Sequence, residues 1–273
     1  MDPKTALAHA LRLHRTGSTE AAIAACRHAV QGEDTVAMRL IGLLLAEAGQ
    51  FEEAQHWAGR AVARDRSAET LAAAGRILAV MQHWPAAAAA LREALLLQPD
   101  FAAARRLLDR AEAAAAAMQA EATGLFAAGR FTEAAALFRE ACGVRPGDPT
   151  LLHALGTALH EAGHPAEAVD AYRAALAAAP DPAAPGHVAS WHNLGSALQA
   201  TGDLDAAMAA YARAYATDPA SFPRIAQELA AGPAGQVWLS AAALRAKLHA
   251  TAHGHDTGPG TRPASPGQHR QPV

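Results

Sequence analysis

LLHALGTALHEAGHPAEAVDAYRAALAAAP (151–180) and SWHNLGSALQATGDLDAAMAAYARAYATDP (190–219) follow one pattern. Each opens on Leu-Gly (Leu155-Gly156, Leu194-Gly195) and meets a second glycine seven residues on, Gly163 or Gly202. An alanine follows five residues later (Ala168, Ala207), then a tyrosine (Tyr172, Tyr211), another alanine (Ala175, Ala214) and a closing proline (Pro180, Pro219). The spacing has a physical reading. Small residues early and late in the unit let two helices approach closely, and the large ones between them fill the gaps. The middle glycine ends the first helix, and the proline ends the second. One such hairpin leaves an apolar face bare, so copies must stack to bury it.

The pattern resembles the tetratricopeptide repeat, a helix–turn–helix unit of about 34 residues. Its signature positions fall on Leu152, Leu155, Gly156, Leu159, Ala168, Tyr172, Ala175 and Pro180 in the repeat starting near 149. In the repeat starting near 188 they are Trp191, Leu194, Gly195, Leu198, Ala207, Tyr211, Ala214 and Pro219. Earlier units start near 115 (Leu125, Ala134, Phe138, Ala141, Pro146), near 68 (Leu71, Gly75, Leu78, Ala87, Leu91, Ala94, Pro99) and near 35 (Met38, Ile41, Gly42, Leu45, Ala54, Ala61). The first, near 3, keeps Leu13, Gly17, Ala22 and Ala29. The resemblance implies an all-α, right-handed superhelical solenoid of about six units over 1–221; beyond it SFPRIAQELAAG and SAAALRAKLHA, with Ser221 and Ser240 as candidate N-caps, read as two capping helices over 222–250. It also implies a concave groove lined by the first helix of each repeat.

Two irregularities stand out. Pro99 and Pro146 are 47 residues apart, so the intervening segment predicts one lengthened helix over about 101–128. The insert DPAAPG (181–186) adds loop before the last repeat. Val237 and Trp238 are expected to pack on that repeat, and 251–273, rich in Gly, Pro, His and Ser, to be a disordered tail.

Composition agrees with helices and little else. The 273 residues include 78 alanines, 51% hydrophobic residues but only 5% aromatics. Alanine is the best helix former and contributes little apolar area, which suits close helix packing and argues against a β-sandwich or barrel. A net charge of −3 with interspersed signs offers no basic stripe for nucleic acid. No run of 18 apolar residues could span a membrane, and no secretory signal is visible, so a cytoplasmic location is expected. Cys26 and Cys142 stand alone and read as packed thiols.

His160-Glu161-Ala162-Gly163-His164 spells HExxH, a zinc-peptidase pattern that needs both histidines on one helical face. Gly163 falls at the inter-helix turn and Pro165 follows, so the helix should end between them. No phosphate loop, dinucleotide fingerprint, nucleophile elbow or CxxC is present. The expectation is a non-catalytic protein without cofactor or metal.

By the resemblance, the groove carries Gln119 and Thr123, then His153, Thr157 and His160, then His192, Asn193, Ser196 and Gln199. Toward the N-terminus Arg39 and Arg76 would meet acidic groups of a partner. The lysine/asparagine clamp of chaperone-binding relatives is not reproduced, since Asn193 is the one asparagine in the chain. The expected function is an adaptor or scaffold that holds a protein or peptide partner in the groove. The alternatives are a homo-oligomeric scaffold, assembled through 101–128 or Trp238, and the HExxH peptidase.

Overall fold

The structure, a computed structural model, describes residues 2–32, 34–184, 186–231 and 241–253. Val237, Trp238, Ser240 and the tail beyond His253 lie outside these. Among the described residues the chain is all-α, with fourteen α-helices and no strand. It divides into two compact units, Met1–Ala178 and Ala179–Val273.

Unit one is five antiparallel hairpins. They are α1 (Pro3–Arg15) with α2 (Thr19–Ala29), α3 (Thr35–Glu47) with α4 (Phe51–Arg64), and α5 (Ala68–Val80) with α6 (Trp84–Leu97). Next come α7 (Ala102–Ala127) with α8 (Phe131–Val144), and α9 (Pro149–Glu161) with α10 (Pro165–Ala178). Each hairpin packs on the next: α2 on α3, α4 on α5, α6 on α7, α8 on α9. Unit two pairs α11 (His187–Thr201) with α12 (Leu204–Thr217) and adds α13 (Phe222–Ala231) and α14 (Ala241–Ala252).

Four of the helix starts are capped by short polar side chains as follows. Asp34 accepts from the backbone N–H of Val36, Ser67 from Thr70, Asp148 from Thr150 and Asp203 from Ala206. The turns inside the hairpins are one motif used six times. The amides of Ser18, Gln50, His83, Arg130, His164 and Asp203 each donate to the carbonyl of the leucine five residues earlier, at 2.8–3.0 Å. That bond closes a helix when the residue before the donor is left-handed. Gly163 fills that place in α9, at φ +83°; in the third hairpin Gln82 holds it at φ +60°.

The core is alanine set against a few large residues. Ala54, Ala58 and Ala61 are buried with Met38, Ile41, Leu44 and Leu45 in one cluster near the N-terminus. The 26-residue α7 buries Ala104, Leu108, Ala111 and Ala115 on one stripe and packs on both α6 and α8. Arg27–Glu53 (2.9 Å) and Arg139–Glu167 (2.7 Å) tie the second helices of successive hairpins at matching positions.

Candidate functional site

The first helices of the hairpins carry the polar side chains, and the structure gives each an environment. In unit one, Arg39 donates to the Thr70 hydroxyl at 3.3 Å, and Thr70, 1% exposed, donates to Asp65 at 2.8 Å. Hydrogen bonds from Ser67, then Thr70, hold the Asp65 carboxyl below its ordinary range. Arg76 faces Glu47 at 3.6 Å, and His14 lies 4.0 Å from the same carboxylate. The Arg76 side chain remains 52% exposed beside Glu47.

Further along, Gln119 accepts from Arg145 at 2.7 Å, and Arg145 is held by Asp148 at 3.2 Å. Thr123 donates to the Gln119 carbonyl at 2.8 Å and is exposed. His153 lies against Tyr172, ring centroids 5.6 Å apart, and Thr157 accepts from the Tyr172 hydroxyl at 3.2 Å. Burial pushes the His153 imidazole below its usual pKa. Nδ1 of His160 is buried without a hydrogen-bond partner among the described residues.

α9 ends at Glu161, Gly163 is left-handed, and His164 sits on the far side of the turn, 3.7 Å from Glu167 of α10. The two histidines of HExxH therefore do not share a helix. Among the described residues no group of three or more His, Cys, Asp or Glu side chains could hold a metal ion.

Unit two repeats the His–Tyr arrangement at the same spacing. His192 lies against Tyr211 at 5.6 Å, as His153 does against Tyr172, with the tyrosine nineteen residues on in both. Here burial is deeper: His192 is 2% exposed, not solvent-facing as its helix position suggests. Desolvation, then the charge of Arg224, lowers its pKa, opposed by the Asn193 hydrogen bond and Glu228.

Asn193, Ser196 and Gln199 form a row along α11, and α13 is bound to all three. Arg224 donates to Oδ1 of Asn193 at 3.3 Å, Ser196 donates to the Glu228 carboxylate at 3.5 Å, and Gln199 donates to the Glu228 backbone carbonyl at 3.0 Å. Oε1 of Gln199 accepts from the Tyr211 hydroxyl at 3.1 Å. Sequence reasoning named the row and missed its occupant. The available signal was the apolar spacing of Phe222, Ile225 and Leu229, which marks a helix that packs without saying on what.

Two family models, each described as a tetratricopeptide repeat, match residues 125–184 and 188–231. No curated protein matches the chain. Similar solved structures include the TPR2AB-domain:pHSP90 complex of yeast Sti1, 17% identical, covering 83% of this chain and 96% of that one, with a TM-score of 0.38. YrrB, titled a TPR protein with an unusual peptide-binding site, is 18% identical over 71% of this chain and 92% of its own, TM-score 0.36. A tetratricopeptide repeat protein from Parabacteroides merdae is 15% identical over 84% and 83%, TM-score 0.35. No helix among the described residues is long and apolar enough to cross a membrane. The family matches fall on helix hairpins that share one turn motif and one pattern of small and large residues, and these two segments, 125–184 and 188–231, are tetratricopeptide repeats.

Proposed function

We propose that this chain is a non-catalytic adaptor that holds a segment of a partner protein on the polar faces of its first helices. Repeats of this family serve protein–protein interaction, which is the general reading; the choice of surface is ours. The observation that carries it is the row Asn193, Ser196 and Gln199, which offers both donors and acceptors and already grips a helical segment through them. In unit one, the partly buried Gln119, His153, Thr157 and His160 and the exposed Thr123 supply the same chemistry, and Arg39 and Arg76 add cations. Side-chain amides, hydroxyls and imidazoles suit a ligand read through its backbone and polar groups.

The test is affinity capture from the native lysate with mass-spectrometric identification, comparing wild type with a His153→Ala, Asn193→Ala, Gln199→Ala variant of unchanged helicity. A common set of partners reduced about tenfold in the variant is expected, corresponding to about 1.4 kcal/mol of binding. Unchanged recovery overturns the assignment of the surface.

A further inference from the structure

α13 is usually what a repeat array needs at its end, a helix that covers the last apolar face. Its apolar stripe is buried: Phe222, Ile225 and Leu229 are 6%, 0% and 5% exposed, and Phe222 lies against Tyr215 and Arg245. A cap needs no more than that. Among the described residues, three hydrogen bonds join α13 to another helix, and all three fall on the row of α11 that carries the proposed partner site.

The contacts have the form of ligand recognition. The Glu228 carbonyl is one of the last four of α13, which a helix leaves without an internal donor. Gln199 supplies that donor, and the Tyr211 hydroxyl fixes the other end of the Gln199 amide. Arg224 and Glu228, one turn apart, give a hydrogen bond to Asn193 and take one from Ser196. The match is incomplete. Nε2 of His192, in a side chain 2% exposed, has no partner among the described residues, while Arg224 and Glu228 both act on its ring electrostatically. A buried nitrogen left unpaired costs about 1–3 kcal/mol, so α13 is not the best complement this face can have.

We propose that the α11 face is a receptor for one amphipathic helix, that α13 is its resident occupant, and that a partner helix binds there by replacing α13. The replacing helix carries large apolar residues at i, i+3 and i+7, with Arg at i+2 and Glu at i+6, the pattern Phe222, Ile225, Leu229, Arg224 and Glu228 present now. This rests on the reading that the first-helix rows hold a partner.

The probe is a labelled peptide of residues 219–231, offered to the full chain in three forms: wild type, Ile225→Asp, and Arg224→Ala with Glu228→Ala. Apparent affinity falls by the fraction of chains whose site is free. Both variants are therefore expected to bind the peptide about tenfold or more tightly than wild type, and to lose hydrogen-exchange protection in α13 but not in α11. Where Ile225→Asp proves unfolded by circular dichroism, the polar variant decides, since its apolar stripe is intact. Peptide binding that is absent from all three forms, or equal in all three, overturns the proposal. Failure of peptide exchange with capture intact removes this inference alone. Loss of the capture effect with exchange intact removes the functional reading and leaves the exchange.

Discussion

Gly195 and Tyr211 are so closely packed that a Cβ on the glycine would stand 2.6 Å from the tyrosine ring. Gly156 and Tyr172 repeat the relation at 2.8 Å in the other unit. In both hairpins the tyrosine ring lies over the glycine and meets a histidine three residues before it, so close helix approach and the buried polar cluster are one arrangement.

Gly195→Ala pits two effects against each other. Alanine in place of a helical glycine gains about 1 kcal/mol of propensity, while an overpacked contact costs about 1–3 kcal/mol. The difference is a net loss of up to about 2 kcal/mol, measurable by urea unfolding. The control is Gly59→Ala, where a Cβ meets nothing within 4 Å and a gain of about 0.5–1 kcal/mol is expected. A stabilised Gly195→Ala would contradict the contact.

Stability should fall as pH drops below about 6.5. The folded pKa values of His153 and His192 lie below the ordinary imidazole value of about 6.5, so the unfolded chain binds protons that the folded chain refuses. Their contribution is complete above 6.5 and is lost as pH falls toward the folded values, by up to about 1.4 kcal/mol per pH unit for each histidine. Urea midpoints at pH 7.5 and 5.5 measure it. The difference between them should shrink in a His153→Gln, His192→Gln variant, and an undiminished difference would assign it to other groups.

Gln82→Gly should stabilise the chain. Gln82 holds a left-handed φ of +60° in the turn where most hairpins use glycine. That conformation costs an L-residue about 1–2 kcal/mol, and the greater freedom of glycine in the unfolded chain returns about 0.4–1 kcal/mol. A net gain of about 0.5–1 kcal/mol is expected in thermal or urea unfolding; a loss would mean the side chain makes a compensating contact.

Neither thiol should react readily in the folded protein. Burial pushes Cys26 up to about 12 and Cys142 up to about 11, leaving little thiolate at pH 8. Ellman's reagent should label both only as denaturant unfolds the chain, and fast stoichiometric labelling of the native protein would contradict this.

The hairpins were legible because their signals are local. Gly163, Pro165 and the Leu155-Gly156 pair each dictate backbone or close packing within a few residues, so counting along the chain finds them. The same locality explained why HExxH could not be one helix face. The surroundings of the polar residues were not legible. Gln119 meets Arg145, Arg76 meets Glu47, and Asn193 meets Arg224 across 26 to 31 positions, and no periodicity encodes such pairs. The burial of His192 had a faint trace, the shared nineteen-residue spacing from histidine to tyrosine, but that spacing acquires meaning only once the helices are laid side by side.

α7 carries a different kind of consequence. The other first helices of unit one, α1, α3, α5 and α9, have 13 residues each. α7 has 26, twice as many, and packs on both α6 and α8. At about 1.5 Å of rise per residue α7 is about 39 Å long against about 20 Å for the others, so half of its length has no counterpart in the neighbouring first helices.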